Sequence, residues 1–207
     1  QRTVSRLRGH RVFLVGGDEV VRAWLRQQGC QEGITDAGRI DADVALVWDA
    51  ARLTDPERSL AGALRRFAEA GGRVVVADQT HWPWTALADC AIGRPSFPYR
   101  DKVTGSRAHA FDGTTHPMLA DILPDWLWRW NGLPGTIADH VIMESPALDE
   151  GRRLLWVSDP RYVAALSLPV SGGEIVFCQL KVRERLSPES LRYDPVAERV
   201  LTNLLAR

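Results

Sequence analysis

The fold is decided by the stretch from Leu60 to Gln79, LAGALRRFAEAGGRVVVADQ. Its first half places apolar residues at helical spacing with charged residues between them, which predicts an amphipathic helix. The pair Gly71-Gly72 predicts the end of that helix, because glycine can adopt the left-handed backbone of a C-terminal cap. The run from Val74 to Ala77 is apolar without alternation, as in a strand that is covered on both faces. The stretch therefore predicts a helix packed on a buried strand of an α/β sheet.

The residues before this stretch repeat the same pattern. Arg11 to Val15 predicts a first strand, and Asp18 can cap a helix that runs to Gln28. Asp43 to Asp49 predicts a second buried strand, and Pro56 fits the first turn of the helix that follows. Strands that alternate with helices favour parallel pairing with right-handed crossovers. The predicted fold class is α/β, a three-layer sandwich with a mostly parallel central sheet, formed by residues 1–207 as a single domain.

The C-terminal third is rich in strands. Extra strands are predicted at Leu154 to Val157, Tyr162 to Leu168 and Glu174 to Leu180, with a turn at Ser171-Gly172-Gly173. A final helix is predicted from Asp194 to Leu205, capped by Asp194.

The middle of the chain has a weaker pattern. Trp82 to Cys90 predicts a short helix, His109 to Phe111 a short strand, and His116 the start of another short helix. Trp126, Trp128 and Trp130 recur at a spacing of two, which on a strand would place them on one face. Such a row favours packing in a core or an interface, with stacking on a sugar as the alternative.

The composition limits the classes of function. There are 26 basic and 26 acidic residues, so no bulk charge favours nucleic acid or an anionic membrane as a partner. No apolar run approaches the roughly 20 residues that span a bilayer, and the N-terminus lacks a signal-peptide core, so a cytoplasmic location is favoured. The three cysteines show neither disulfide nor zinc spacing. Because the chain begins with Gln1, we expect a piece of a longer polypeptide.

Chemistry in an open α/β sheet is expected where the strands end, and here that turn contains Asp78, Gln79 and His81. Asp78 and His81 are candidates for an acid/base pair, and Asp49 with Asp78 for paired carboxylates, because both end predicted neighbouring strands. His109 and His116 could add metal ligands, but the sequence contains no metal-binding motif, and no metal or other cofactor is predicted.

The tryptophans supply candidates for binding. Gln79, Trp82 and Trp84, with His81, could line a small-molecule or sugar pocket beyond the sheet edge. Trp126, Trp128 and Trp130 are instead candidates for an interface, because aromatic side chains dominate interface hot spots.

Four segments carry a resemblance to a known family: FAEAGGRVVVADQ, THPMLADI, GGEIVFCQL and DPVAERVLTNLLAR. Together they resemble the class I glutamine amidotransferase-like fold, a flavodoxin-like three-layer sandwich. The likeness is greatest to the non-catalytic accessory domains of bacterial β-galactosidases and related glycoside hydrolases. In those β-galactosidases the resembling domain is associated with trimer formation.

Active members of this family carry a nucleophilic cysteine in a tight turn after the buried strand, and a histidine and a glutamate near the C-terminus. Here the turn from Ala77 to His81 has no cysteine, no serine and no glycine that would permit a strained elbow. The matching C-terminal strand reads Phe177 to Lys181 and lacks the histidine and glutamate. We therefore expect no glutamine hydrolysis, because the nucleophile and its base are both absent.

The resemblance implies a non-catalytic accessory or oligomerisation module of a carbohydrate-active enzyme. Its expected partner is the catalytic domain of a glycoside hydrolase, or a second copy of the chain. Two alternatives remain from the residues: a sugar or small-molecule binding domain with its pocket near Asp78 to Trp84, and a hydrolase with an unfamiliar site at Asp78 and His81.

Overall fold

The computed structural model describes residues 5–36, 38–53, 59–95, 107–128, 130 and 137–206. The helices are α1 (Glu19–Gln27), α2 (Ala61–Glu69), α3 (Pro146–Glu150) and α4 (Pro195–Leu205). The strands are β1 (Arg11–Gly16), β2 (Gln31–Glu32), β3 (Ile34–Asp36), β4 (Arg39–Asp41), β5 (Val44–Trp48), β6 (Arg73–Ala77), β7 (Ala91–Gly93), β8 (Ala108–Ala110), β9 (Val141–Met143), β10 (Arg152–Val157), β11 (Asp159–Val170) and β12 (Gly173–Cys178). Short 3-10 turns cover Ala50–Arg52, Pro117–Leu119, Pro124–Trp128 and Arg183–Arg185. None of the helices in these ranges is long and apolar enough to cross a membrane.

One mixed sheet organises the molecule. Its strands follow the order β2-β1-β5-β6-β12-β11-β10-β8, and β9 joins β11 to β7. The strands from β2 to β12 in this order are parallel, whereas β11, β10 and β8 continue the sheet antiparallel. The C-terminal strand β12 therefore lies at the centre of the sheet, between β6 and β11. This is the predicted α/β class, a flavodoxin-like parallel core extended by antiparallel strands.

The sheet is covered on both faces by separate apolar clusters. Successive residues of β5 alternate between them: Leu46 belongs to the cluster under α1 and α4, and Val47 to the cluster under α2 and α3. Every residue of β5 is buried, as are the last four of β6. Continuous burial explains why these two strands show no polar alternation in the sequence.

Local signals place the ends of the helices. The Asp18 carboxylate accepts hydrogen bonds from the N–H groups of Val20 and Val21, and Asp194 caps α4 in the same way. Both caps were predicted, and each satisfies backbone donors that a first helical turn leaves unpaired. The Trp24 indole of α1 donates to Glu198 of α4 at 3.0 Å and joins the two helices.

The opening stretch forms the predicted helix, turn and strand. Helix α2 begins at Ala61, while the predicted cap around Pro56 falls in residues 54–58, outside the described residues. Gly71 takes a left-handed φ of 99°, and a Cβ on Gly72 would lie 2.4 Å from the Phe67 ring. Glycine is therefore required twice, once for conformation and once for space.

One prediction from the middle of the chain is wrong, and the tryptophan row has a different conformation from the strand considered for it. Trp82 to Cys90 is no helix but a single turn, in which Leu87 N–H and Ala88 N–H both bond to the Trp84 carbonyl. Trp126 and its neighbours form a 3-10 turn from Pro124, so the tryptophan row does not lie on a strand with one shared face.

A largely buried ion network at the start of β6 and β12 joins the sheet to α4 and the Pro117 turn. Glu174 at the start of β12 accepts from Arg73 at 2.6 Å, from Ser167 at 2.7 Å and from His116 at 3.0 Å. Arg73 also donates to the carbonyl of Ala206 at the end of α4. Burial raises the pKa of Glu174, but the His116 and Ser167 hydrogen bonds and the Arg73 charge outweigh it and bring the pKa down to about 2.

Candidate functional site

The carboxyl ends of four parallel strands meet at one edge of the sheet, as in other open α/β sheets where ligands bind. Asp18 lies just beyond β1, Asp49 follows β5, Asp78 follows β6 and Lys181 lies beyond β12. The sequence predicted this position for Asp49 and Asp78. We call this group the strand-end cluster.

Asp49 and Asp78 both adopt a left-handed backbone, with φ of 44° and 53°. Left-handed backbone is uncommon outside glycine, and it concentrates at functional sites. Asp78 takes this left-handed backbone without being glycine, and we call the turn from Ala77 to His81 the elbow. The elbow places the Asp78 carboxylate directly after the carboxyl end of β6.

The side chain of Gln79 fixes the backbone of the elbow through hydrogen bonds. Its side-chain oxygen accepts from Ala50 N–H at 2.7 Å, and its amide nitrogen donates to the Ala77 carbonyl. Gln179 accepts from Gln79 N–H at 3.1 Å and donates to its carbonyl at 2.8 Å. Gln79 and Gln179 are both buried, so both amides position the backbone of the turn. Gln79, predicted as a ligand contact, has its amide committed to the fold.

The two carboxyl groups of the elbow influence each other. Burial and the charge of Asp49 raise the pKa of Asp78, and the opposing influence of Trp48, Arg183 and Lys181 is smaller. One Asp49 oxygen pairs with Arg52 at 2.9 Å, while the other is buried and meets no hydrogen-bond partner among the described residues. Asp49 and Asp78 therefore lie close enough for the charge of Asp49 to affect Asp78.

The rim of the strand-end cluster carries cations that already have acidic partners. Lys181 lies 2.9 Å from Asp139, and Arg183 forms an ion pair with Asp18. His140 lies close enough for the Asp78 charge to raise its pKa, but burial and Arg94 outweigh that influence and lower the pKa.

The other residues that the sequence suggested for a ligand pocket near the elbow are either exposed to solvent or buried in the core. His81 is exposed, whereas Trp82 and Trp84 are buried in the core. The Trp82 indole donates to the Ala88 carbonyl at 2.9 Å, and its ring packs edge-on against Phe177. Trp82 and Trp84 therefore fill the space below the elbow, where the sequence suggested a sugar pocket.

The remaining histidines lie in different parts of the molecule. His109 stacks on Trp156 with ring centroids 4.1 Å apart, and His116 belongs to the Glu174 network. Across residues 5–206, excluding the gaps given above, no group of three or more His, Cys, Asp or Glu side chains is arranged to hold a metal ion.

A second candidate site is a surface groove of about 730 Å³ beside the start of α4. We call it the tryptophan groove; it is lined by Asp121, Ile122, Asp125, Trp126, Trp128, Pro195, Val196 and Arg199. Trp126 is 49% exposed and Trp128 40% exposed. Trp130 differs, because it is buried with the Arg185 guanidinium over its ring. Of the three tryptophans predicted for an interface, Trp126 and Trp128 line the groove.

No family model and no curated protein matches the sequence. Solved structures are similar at the level of the fold. The cytoplasmic protein STM3548 from Salmonella typhimurium matches with a TM-score of 0.52 and 11% identity over 95% of this chain and 97% of that one.

Two further structures match more loosely. A ThuA-like protein from Bacteroides uniformis has a TM-score of 0.49 and 12% identity over 98% of this chain and 91% of that one. A β-galactosidase from Rahnella sp. R3 has a TM-score of 0.48 and 12% identity over 86% of this chain, which corresponds to 29% of the galactosidase. The strand order and the Salmonella structure together define the class, an α/β protein with a flavodoxin-like core.

Proposed function

We propose that this chain is a self-associating accessory module, which acts through the tryptophan groove rather than by amidotransferase chemistry. The observation that carries the proposal is the pair of half-exposed tryptophans on one groove. Large apolar side chains that face water together mark surfaces that bind other proteins. Tryptophan is also the residue most enriched among interface hot spots.

The charges of the tryptophan groove favour a second copy as the partner. Asp125 and Arg199 both line it, so the groove presents both signs of charge beside the two tryptophans. A two-fold contact requires a surface that is complementary to itself. In such a contact Asp125 of each copy faces Arg199 of the other, while the tryptophans of the two copies pack together.

The cysteines support the absence of amidotransferase chemistry. Asp78 occupies the elbow, and Cys178 on the neighbouring strand is fully buried. Burial raises the pKa of Cys178 to about 12, so it carries almost no thiolate at neutral pH. A thiol of this kind is a poor nucleophile.

The parent enzyme is a further part of the proposal. The sequence segments that resemble β-galactosidase accessory domains make a carbohydrate-active enzyme the best candidate. In that setting the module would assemble catalytic chains through the tryptophan groove, or would contact a glycoside hydrolase domain with it.

Sedimentation equilibrium over a series of protein concentrations tests the proposal. The wild-type chain should self-associate, and Trp126→Ser with Trp128→Ser should abolish association at the same concentrations. Each tryptophan is expected to contribute about 2 kcal/mol, which corresponds to about 30-fold in Kd. The matched control is Ile34→Ser, which removes an apolar side chain that is 60% exposed on β3, outside the groove.

The control variant should associate as the wild type does, and circular dichroism should show that all variants are folded. A wild-type chain that stays monomeric at every concentration would overturn self-association. Equal association of the tryptophan variant and the wild type would assign the contact to a different surface.

A further inference from the structure

The strand-end cluster contains polar groups that the fold itself does not use. The Trp48 side chain is 2% exposed, and its indole N–H meets no acceptor in hydrogen-bond geometry among the described residues, although it faces the Asp78 carboxyl. One oxygen of Asp49 is likewise buried without a partner in that part of the chain. Buried polar groups in native proteins nearly always have partners, so two exceptions beside one carboxyl call for a cause.

The backbone at the same place is strained as well. Asp49 and Asp78 hold left-handed conformations on adjacent strand ends, and their carboxyl groups repel each other. Glycine at these positions would avoid both the left-handed backbone cost and the repulsion. Strain, repulsion and unpaired polar groups thus coincide at the sheet edge where α/β proteins bind ligands.

The surrounding charges define the chemical class of the ligand. Arg52, Arg183 and Lys181 already pair with Asp49, Asp18 and Asp139, so these three cations are less available to an anionic ligand. Arg183 and Lys181 also lie close enough to affect Asp78, which disfavours a cationic ligand. The group that fits between an N–H donor and carboxyl oxygens is a neutral one that both donates and accepts, such as a hydroxyl.

We propose that Asp78, with Asp49 and the Trp48 indole beneath it, forms a binding site for a small neutral molecule that carries several hydroxyl groups, such as a monosaccharide. One hydroxyl bonds to the Asp78 carboxyl and draws it into contact with the Trp48 N–H. Hydrogen bonds that are long in an empty site commonly shorten when the ligand arrives. This site lies on the sheet edge and does not depend on the proposed self-association.

The test is a nuclear magnetic resonance titration that follows the indole N–H resonance of Trp48. Three probes share one ring and differ in charge: galactose is neutral, galacturonate is anionic and galactosamine is cationic. Galactose should shift the Trp48 resonance in a saturable way, while the Trp82 resonance stays in place, because its indole is bonded to the Ala88 carbonyl.

The variant Asp78→Gly removes the carboxyl and suits the left-handed backbone, so it should remain folded. It should weaken the galactose response about tenfold or more, as expected for the loss of a hydrogen bond to a charged group. The control Ser158→Gly places glycine at another left-handed residue, with φ of 64°, and should leave the response unchanged.

Three results would overturn the inference: no shift with galactose, a shift with galactosamine or galacturonate but not with galactose, or an unchanged response in Asp78→Gly. Sedimentation of the same samples separates this inference from the proposed function. Asp78→Gly should self-associate as the wild type does, because it leaves the tryptophan groove intact.

Discussion

Replacing Glu174 by glutamine should reveal how strongly the buried ion network stabilises the fold. Glu174 is 21% exposed and accepts hydrogen bonds from Arg73, Ser167 and His116. Because its pKa falls from the ordinary 4.5 to about 2 in the folded protein, the native state favours the ionised form. Each pKa unit corresponds to about 1.4 kcal/mol, so the ionised carboxylate contributes about 3 kcal/mol to the free energy of unfolding.

The sign of the pH dependence follows from the lowered pKa of Glu174. Its contribution is fully present above pH 4.5 and is lost as the pH falls from 4.5 to about 2. Glutamine cannot ionise, so Glu174→Gln lacks this contribution at every pH. The difference in stability between wild type and variant should therefore be largest at neutral pH and shrink by about 3 kcal/mol toward pH 2.

Urea unfolding of both proteins at a series of pH values measures this difference directly. Titrating groups that do not contact Glu174 are common to the two chains and cancel in the comparison. Two stability curves that run parallel from neutral to acid pH would refute the reasoning, because Glu174 would then have the same pKa in the folded and unfolded chains.

Three further predictions concern single sites. Asp78→Asn should stabilise the protein at neutral pH in urea unfolding, because burial and the Asp49 charge raise the pKa of Asp78 in the folded chain, so that its ionisation costs folding free energy as the pH rises; a destabilised variant would contradict this. Burial raises the pKa of Cys30 to about 11 and of Cys178 to about 12, so thiol labelling at pH 8 should be slower in the native chain than in urea by about a hundredfold at Cys30 and about a thousandfold at Cys178, and equal rates would refute it. Gly173→Ala should destabilise the fold by more than about 2 kcal/mol, because the new Cβ would lie 2.1 Å from the Gly72 carbonyl oxygen, and an unchanged melting temperature would contradict the packing.

The parallel core could be predicted from the sequence because the residues that specify its helices and strands act over short distances along the chain. The Asp18 and Asp194 caps, the Gly71 turn and the apolar runs of β5 and β6 each act within a few residues. Consistency among such signals is what specifies a fold. The central position of β12 in the sheet also agrees with its sequence, because the run IVFC is continuously apolar and all four residues are buried.

The tryptophans could not be assigned from spacing. Trp82 and Trp84 are buried and Trp126 and Trp128 are exposed, although both pairs have the same separation. Which aromatic residues face the core depends on contacts with distant elements, such as Trp82 with Phe177. Tertiary packing of this kind overrides local pattern.

The site was predicted in position but not in conformation. Parallel strands explain why Asp49 and Asp78 meet, yet their left-handed backbone has no sequence signal of its own. The amide pairing of Gln79 with Gln179 joins residues 100 positions apart and fixes the elbow without glycine. The tryptophan groove likewise forms only when the Trp126 turn meets the start of α4.

The most direct test of the self-associating module is a charge exchange across the tryptophan groove. If Asp125 of one copy faces Arg199 of the other, then Asp125→Arg and Arg199→Asp should each be monomeric, because like charges then meet twice per pair. An equimolar mixture of the two variants restores both opposite-charge contacts, and sedimentation velocity should show a dimer in the mixture alone. A mixture that remains as monomeric as the separate variants, beside a wild-type chain that associates, would contradict the proposed contact.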